Sequence, residues 1–197
     1  MFNKTTSTIV REPGHETVKN IEIDYTFSES QIDQQIQCPK DTDINDFISF
    51  NLCELVEDSQ SFFLFVKGQC KMECDTMCAG QGNKYLWQVG QDKPQELKAV
   101  DYCNCLYDQI TENLQNPKLF PITEPYPKDF LKYVKQMFRR LFRVFMHCYC
   151  SHFDLIYKSG MEQKLQYQIK YFAEFMKKYQ LCEIEDLEPI KHLLDQK

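Results

Sequence analysis

Two closely spaced cysteines and two closely spaced histidines constrain the fold of this chain more than any other feature. Cys70 and Cys74 have three residues between them, and His147 and His152 have four. Two thiolates and two imidazoles are the ligand set of a closed, tetrahedral zinc site. If one ion binds all four side chains, two segments that are distant in sequence must lie side by side. A closed site of this kind also indicates a structural ion rather than a catalytic one.

The spacing of the two histidines poses a geometric difficulty. Residues five apart on an ideal α-helix differ by about 140° in direction, so His147 and His152 face one ion only where the helix bulges or loosens. Cys148 and His152 have the i, i+4 spacing of one helix face, and His147 and Cys150 have the i, i+3 spacing. Cys78 competes with Cys74 for the ion. From the residues alone, the candidate Zn²⁺ ligands are Cys70, Cys74, His147 and His152, with Cys78, Cys148 and Cys150 as open alternatives.

Apolar residues recur with helical periodicity through most of the chain. The first stripe follows a predicted N-cap at Thr42 or Asp43, and we expect Gly68 to end that helix. The longest stripe follows Pro127 and is expected to close at Gly160. The stripes predict helices over residues 44–66, 99–114, 130–149, 165–179 and 189–194. The predicted fold class is therefore all-α, a helical bundle with a zinc-pinned loop.

The first forty residues differ from the rest of the chain. They are polar and show no helical stripe, and residues 20–27 alternate apolar and polar side chains as a strand or an extended docking segment does. We therefore predict an extended N-terminal arm over residues 1–40, docked on a partner, and a helical domain over 41–197. Residues 70–90 are expected to form a loop that is broken by glycines and contains a short strand at 85–87.

Composition narrows the class of protein. No apolar run approaches the ~18 residues that a membrane span requires, and the N-terminus has no signal-peptide segment, so we expect a cytoplasmic protein. Ten cysteines in a reducing compartment are expected to bind metal or to be buried rather than to form disulfides. The net charge of -6 argues against general nucleic-acid binding.

Charge is concentrated in two blocks of opposite sign. The acidic block contains Asp41, Asp43, Asp46, Glu54, Glu57 and Asp58. The basic block contains Lys128, Lys132, Lys135, Arg139, Arg140 and Arg143. Such blocks indicate either two differently charged partners or two solvated helix faces.

Five ordered segments give the chain a resemblance to a known family. They are Ile44–Asn51, Cys74–Trp87, Leu119–Phe130, Arg139–Asp154 and Leu181–Ile190. The order and content of these segments resemble the Mob/phocein family of kinase-activator and adaptor proteins, over roughly residues 39–197. The family has the same four-residue gap between its histidines, so the resemblance implies a Mob-like bundle with Zn²⁺ at the four ligands above.

The resemblance also implies two binding surfaces. Arg139, Arg140 and Arg143 match the family's basic pocket for phosphothreonine peptides, and guanidinium groups suit bidentate contacts with phosphate. The acidic helix matches the surface that receives the basic N-terminal segment of NDR/LATS-type (AGC) kinases. Its candidate contacts are Asp43, Asp46, Phe47 and Glu54. Phe47 also lies on the apolar stripe of its helix, so it can equally be a core residue.

The chain departs from the family pattern at several points. The family has four residues between its cysteines, a tryptophan where this chain has Phe47, and a glutamate where it has Asp46. The linker before Pro125 is shorter by two residues, and the family's phosphorylated N-terminal region has no clear counterpart beyond candidate sites at Thr5, Thr6 and Thr8.

These observations predict a non-enzymatic adaptor or co-activator that binds a kinase and phosphorylated partners. The alternative is a structural subunit of a phosphatase scaffold or cytoskeletal assembly that has lost kinase activation. A nucleophilic cysteine beside a histidine at 147–152 is a third reading, which the poor geometry of neighbours on one helix disfavours.

Overall fold

The computed structural model describes residues 29–79, 84–123 and 125–194. The helices of this part are α1 (Glu29–Gln35), α2 (Ile44–Glu73), α3 (Ala99–Leu114), α4 (Phe130–Lys158), α5 (Glu162–Lys178), a 3-10 helix (Ile184–Ile190) and α6 (Lys191–Leu194). β-structure in the described residues is limited to two isolated bridges, Cys78 with Lys84 and Trp87 with Gln95. The all-α prediction is confirmed. None of the helices described combines the length and apolar content that a membrane crossing needs.

Helix α2 begins where the sequence predicts and ends later. Asp43 is its N-cap, and the Asp43 side chain accepts a hydrogen bond of 2.7 Å from the backbone N–H of Asn45. The helix does not end at Gly68 as expected but continues to Glu73. Val66 and Cys70 are fully buried on either side of the glycine, so core packing outweighs the low helix propensity of glycine.

Helix α4 is the centre of the bundle, because it contacts α2, α3, α5 and the 3-10 helix. Phe145 is fully buried, and its ring lies 5.9 Å from that of Phe62 on α2 and 6.1 Å from that of Phe172 on α5. Two helical turns before Phe145, the ring of Phe138 stacks on that of Phe175 of α5, with 5.6 Å between the ring centroids. An aromatic core contributed by three helices therefore fixes α4 between α2 and α5.

The C-terminal part follows the predicted boundaries with one extension. α4 ends at Lys158, and Gly160 follows in the left-handed region at φ 71°, where glycine has no steric penalty. The last predicted helix begins earlier than expected, as the 3-10 helix that starts at Ile184. Glu183 and Asp186 form a reciprocal capping box at its start.

Helix α1 lies within the segment predicted as an arm. Its Ile32 and the following Ile36 are buried, and the chain after it is bound to α5 through Tyr179. The Tyr179 hydroxyl donates to the Ile36 carbonyl at 2.8 Å and accepts from the Cys38 backbone N–H at 3.1 Å. Helix α1 was not predicted, because residues 1–40 show no clear helical stripe. The boundary at residue 40 stays a prediction; residues 1–28, with the predicted docking segment, lie outside the described residues.

We expect Phe145→Ala to lower the free energy of unfolding by about 3–5 kcal/mol, because it leaves a cavity where three helices meet. Phe50, also on a helix, is 61% exposed, and Phe50→Ala is expected to change stability by no more than about 0.5 kcal/mol. Urea unfolding followed by circular dichroism measures both. Similar losses in the two variants would contradict the central place of Phe145.

Candidate functional site

Cys70 and Cys74 are brought to one face by the end of α2. Cys70 lies in the last turns of the helix, and Cys74 is its C-cap, with the Cys74 backbone N–H donating to the Cys70 carbonyl at 3.0 Å. Residues four apart on a helix share a face. The three-residue gap is therefore one helical turn, which aims both thiols at α4. The prediction that Cys70 lies on a loop is wrong, because α2 passes through Gly68.

The two histidines face the same point because α4 is distorted between them. His152 has φ -131° and ψ 19°, which is a non-helical conformation inside the helix. The rings of His147 and His152 lie with their centroids 5.1 Å apart. The predicted loosening of the helix is confirmed, and it removes the directional mismatch that an ideal helix imposes on this spacing.

The four side chains form one cluster. The Cys70 Sγ lies 3.4 Å from the His147 Nε2, and the Cys74 Sγ lies 3.4 Å from the His152 Nε2. All four donor atoms lie within 4.8 Å of one another. A tetrahedral ion with bonds of ~2.3 Å to sulfur and ~2.0–2.1 Å to nitrogen separates S and N by about 3.5 Å. The two S···N distances match this separation, so the cluster could hold a metal ion.

The protonation states suit a cation. Burial lowers the pKa of His147, and burial together with His147 lowers the pKa of His152 to about 4, so both imidazoles are neutral at pH 7. Burial, with a contribution from Cys74, raises the pKa of the Cys70 thiol to about 12. A bound dication reverses this effect, since it stabilises the thiolates and releases their protons.

A second contact orients His147. Its Nδ1 lies 2.8 Å from the backbone carbonyl of Cys78, so the Nδ1–H donates and the Nε2 lone pair faces the thiols. Metal-binding histidines usually have such a partner for the other nitrogen. Among the described residues, the buried Nδ1 of His152 has no such partner. The orientation of His152 therefore comes from the backbone kink and the packing around it.

The competing cysteines lie outside the cluster. Cys78 contributes its backbone carbonyl, while its Sγ lies 4.0 Å from the hydroxyl of Ser151. Cys148 is fully buried in the apolar core, and burial raises the pKa of its thiol. Cys148 and Cys150 do not join the four-residue cluster. A thiol with a raised pKa is a poor nucleophile, which argues against the Cys–His enzyme reading.

Arg139 and Arg143 lie together on the face of α4 that meets the 3-10 helix. They line a pocket of about 190 Å³. Its other lining residues are Lys84, Tyr85, Phe142, Glu185, Asp186 and Pro189. The guanidinium of Arg139 is paired with Asp186, with Nη2 at 2.9 Å from Oδ1 and Nε at 2.6 Å from Oδ2. Arg143 donates to the Tyr102 hydroxyl at 3.2 Å and stacks on the Tyr85 ring at 4.9 Å.

Arg140 is in a different environment from the other two arginines. It is 8% exposed and does not line the pocket. Its guanidinium donates to Gln109 Oε1 and to the Gln88 carbonyl, both at 2.6 Å, and lies 4.5 Å from the Trp87 ring. Burial lowers its pKa, but arginine remains charged. The prediction that all three arginines form one pocket needs correction, because Arg140 instead ties α4 to α3 and the 84–98 segment.

Comparison with known proteins identifies the family. The model of the Mob1/phocein family matches residues 24–190. Maintenance of ploidy protein mob1 of Schizosaccharomyces pombe is 32% identical over 175 residues, which is 86% of this chain and 83% of that protein. Human MOB kinase activator 3A is 32% identical over 163 residues, 80% of this chain and 75% of its own. MOB kinase activator-like 2 of Dictyostelium discoideum is 31% identical over 163 residues, which is 82% of this chain and 75% of that protein.

The chain belongs to the Mob1/phocein family. The family match begins at residue 24, inside the segment predicted as an arm. It covers α1 to the end of the 3-10 helix, and with them the Cys/His cluster and the arginine pocket.

The acidic residues of this Mob1/phocein chain lie near the start of α2. Asp43 caps the helix, and Asp46 accepts a 2.8 Å hydrogen bond from the Tyr126 hydroxyl. Glu54 is exposed about two helical turns beyond Asp46. Phe47 is half-buried and packs on Phe175 at 5.7 Å. Of the two roles proposed for Phe47, its contacts support the core one.

Phe50 is an exposed aromatic residue on this face that was not among the predicted kinase contacts. It is 61% exposed and lies one turn beyond Asp46 and one turn before Glu54. The sequence pattern could have indicated its exposure, because the buried stripe of α2 contains Ile48, Asn51, Leu52 and Leu55 and leaves position 50 on the opposite face.

We expect the purified protein to carry one metal ion per chain, and each of Cys70→Ser, Cys74→Ser, His147→Ala and His152→Ala to lower that content because a tetrahedral site loses a ligand. Elemental analysis by mass spectrometry after gel filtration measures it. Cys78→Ser is the matched control, since it removes a nearby thiol and keeps the carbonyl that orients His147. Full metal content in His147→Ala would contradict the ligand set.

Proposed function

We propose that this protein is a non-catalytic adaptor and co-activator that binds a protein kinase of the NDR/LATS (AGC) type and a phosphorylated partner. Its relatives include proteins named MOB kinase activators that align over four-fifths of the chain. The single observation that carries the proposal is the pocket between α4 and the 3-10 helix, which gathers Arg139, Arg143 and Lys84. Clustered guanidinium groups are the usual protein ligands of a phosphorylated side chain.

We further propose that Zn²⁺ is the ion held by the Cys70, Cys74, His147 and His152 cluster, in a structural role. Two thiolates and two imidazoles select zinc over the hard cations. Four protein ligands leave no open position for a water or substrate, which supports a non-enzymatic function. The ion would join the end of α2 to the last turns of α4 and to the loop after α2.

Within the pocket, Arg143 is the arginine best placed to receive phosphate. Its partners are a neutral hydroxyl and an aromatic ring, so its charge is not neutralised. Arg139 already pairs with the Asp186 carboxylate, which is 14% exposed. A phosphate dianion would have to share Arg139 with that carboxylate or displace it. Arg143 therefore supplies the first contact, and Arg139 the second.

The kinase-binding surface in this proposal is the solvent face at the start of α2. Asp43, Asp46 and Glu54 supply negative charge, and Phe50 replaces Phe47 as the exposed apolar contact. A basic helical segment meets such a face with complementary charge, which sets specificity and association rate. Phe50 lies between Asp46 and Glu54 on this face, and an aromatic residue in such a place supplies the desolvated contact on which affinity depends.

A second candidate function is a structural subunit of a larger assembly, such as a phosphatase scaffold or a cytoskeletal complex, without kinase activation. The ion pair between Arg139 and Asp186 supports it, because it reduces the positive charge of the pocket. A cytoplasmic, cytoskeleton-associated location stays a prediction. Affinity purification with mass spectrometry separates the candidates: recovery of an AGC kinase supports the adaptor, and recovery of scaffold or filament proteins alone supports the structural subunit.

For the phosphate pocket, we expect Arg143→Ala to weaken binding of a phosphothreonine peptide at least tenfold, since a charge-assisted contact of about 1.5–3 kcal/mol is lost. Asp186→Asn is expected to strengthen binding, because it removes the carboxylate that competes for Arg139. Isothermal titration calorimetry with a phosphorylated peptide and its unphosphorylated counterpart measures both effects.

The control for this experiment is Lys132→Ala, which removes an exposed positive charge from the same helix outside the pocket. Equal affinity for the two peptides, or an affinity unaffected by Arg143→Ala, would overturn the phosphate pocket. Weakened binding in Asp186→Asn would show that the carboxylate positions Arg139 rather than competing with the ligand.

For the kinase surface, we expect the double reversal Asp46→Lys/Glu54→Lys to weaken binding of a Lys/Arg-rich kinase N-terminal segment by at least tenfold at low salt, with a smaller effect at high salt. Asp101→Lys reverses an exposed acidic residue in the first turn of α3 and serves as the control. Fluorescence anisotropy with a labelled segment measures the affinity. If Asp101→Lys lowers the affinity as much as the double reversal does, the effect is one of net charge and the proposed kinase surface is wrong.

A further inference from the structure

The outer face of α2 is apolar in its C-terminal half. Leu64 is 64% exposed, Phe65 41% and Met72 79%. Together with Ser61 and Gly68 these residues recur at the i, i+3, i+4, i+7 and i+11 positions of a single helix face. That spacing is the one by which a helix packs on another helix, and in this protomer the same residues face outward.

Gly68 supplies a second, independent observation. Glycine destabilises a helix interior relative to alanine, so its place in the middle of an exposed face needs a reason. The backbone there is not in the left-handed region, and a Cβ added at this position would meet nothing within 4 Å. The protomer itself therefore does not require glycine. A backbone that approaches α2 closely from outside does.

Charges flank the apolar residues on both sides. Glu57 lies two turns before Leu64 on the exposed face, and Lys71 lies two turns after it. No ion pair within the described ranges uses either side chain. Because Glu57 and Lys71 are equidistant from Leu64, a second α2 that runs antiparallel and crosses at Leu64 brings each glutamate to the lysine of the other copy. The face is thus complementary to itself in charge.

We propose that the chain forms a symmetric dimer through this face, with the two α2 helices antiparallel and centred at Leu64. The paired segment from Glu57 to Lys71 spans ~21 Å. One helix pair buries less than the ~800 Å² per partner of a standard stable interface, so the dimer is weak and reversible. Asp46 lies ~27 Å along the helix from Leu64, so Asp43 and Asp46 of the proposed kinase surface lie well outside the paired segment, whereas Glu54 lies at its edge.

Sedimentation equilibrium of the full chain over a wide concentration range tests the dimer. The mean molar mass is expected to rise from one protomer of 23.5 kDa toward two. Leu64→Arg places like charges at the symmetry axis and is expected to weaken dimerisation at least tenfold. Ile122→Arg is the matched control, because Ile122 is 97% exposed and lies outside α2. A chain that is monomeric at every concentration, or a dimer that Leu64→Arg leaves intact, overturns the proposal.

A charge exchange tests the antiparallel arrangement. Glu57→Lys and Lys71→Glu are each expected to weaken dimerisation, and the double variant Glu57→Lys/Lys71→Glu to restore it, since every pair is then again of opposite sign. Failure of the double variant to restore the dimer overturns the arrangement. The two single variants mixed with each other are expected to form a heterodimer, since position 57 of each copy then again meets an opposite charge at position 71 of the other, and a mixture that does not associate would also overturn the arrangement.

Gly68→Leu tests the close approach. The added side chain meets nothing in the protomer, so thermal unfolding at low concentration is expected to be unchanged or shifted upward. Dimerisation is expected to weaken at least tenfold, because the two backbones can no longer approach. Unchanged dimerisation in this variant overturns the role of Gly68.

Discussion

The contact between α2 and α4 is the interaction on which the rest of the structure depends. Near the middle of the two helices it is an aromatic core, where Phe62 meets Phe145. At one end it is the cluster of Cys70 and Cys74 with the two histidines. α4 also carries Arg139 and Arg143, on the face that meets the 3-10 helix. A buried helix cannot shift at one end without disturbing its packing elsewhere. The position of the arginine pocket is therefore set by the same contacts that close the metal site.

Periodicity predicted most of the fold, because long amphipathic helices are specified by their own residues. The bounds of α3, the Asp43 cap and the glycine after α4 were all readable in this way. The failures have physical causes. Gly68 was expected to end α2, but a propensity cost of ~1 kcal/mol is small beside the burial of Val66 and Cys70. Helix α1 was missed because seven residues have little intrinsic helicity, and packing on α5 stabilises it.

The candidate site was predictable as a set of residues and less so as a set of roles. Residue type and spacing made the four cluster residues candidates but left Cys78, Cys148 and Cys150 as competitors, and the resemblance to the Mob/phocein family favoured the set that the structure brings together. The helix distortion was a condition for His147 and His152 to face one ion. The arginines show the limit. Arg139 and Arg143 share a face, whereas Arg140 is rotated by about 100° from Arg139, and only the packing of Trp87 and Gln109 around it defines its role. Phe47 and Phe50 differ in the same way. Both lie among acidic residues, but Phe47 lies on the buried face of α2 and Phe50 on the exposed face, and only the helical periodicity separates them.

The ion pair of Arg139 with Asp186 has a consequence for how any anion enters the pocket. Asp186 belongs to the 3-10 helix and also closes its capping box with Glu183, which pairs in turn with Lys135 of α4 at 2.6 Å. An anion that takes Arg139 from Asp186 therefore weakens one of the two ion pairs that attach this helix to α4. Glu185 lies in the same pocket, and a phosphate dianion beside two carboxylates is repelled unless they move away. Occupation of Arg139 is thus coupled to displacement of the 3-10 helix, whereas contact with Arg143 alone is not. A ligand that uses both arginines binds at the energetic cost of loosening the C-terminal segment, so pocket affinity depends on the stability of residues 183–190 as well as on the arginines themselves.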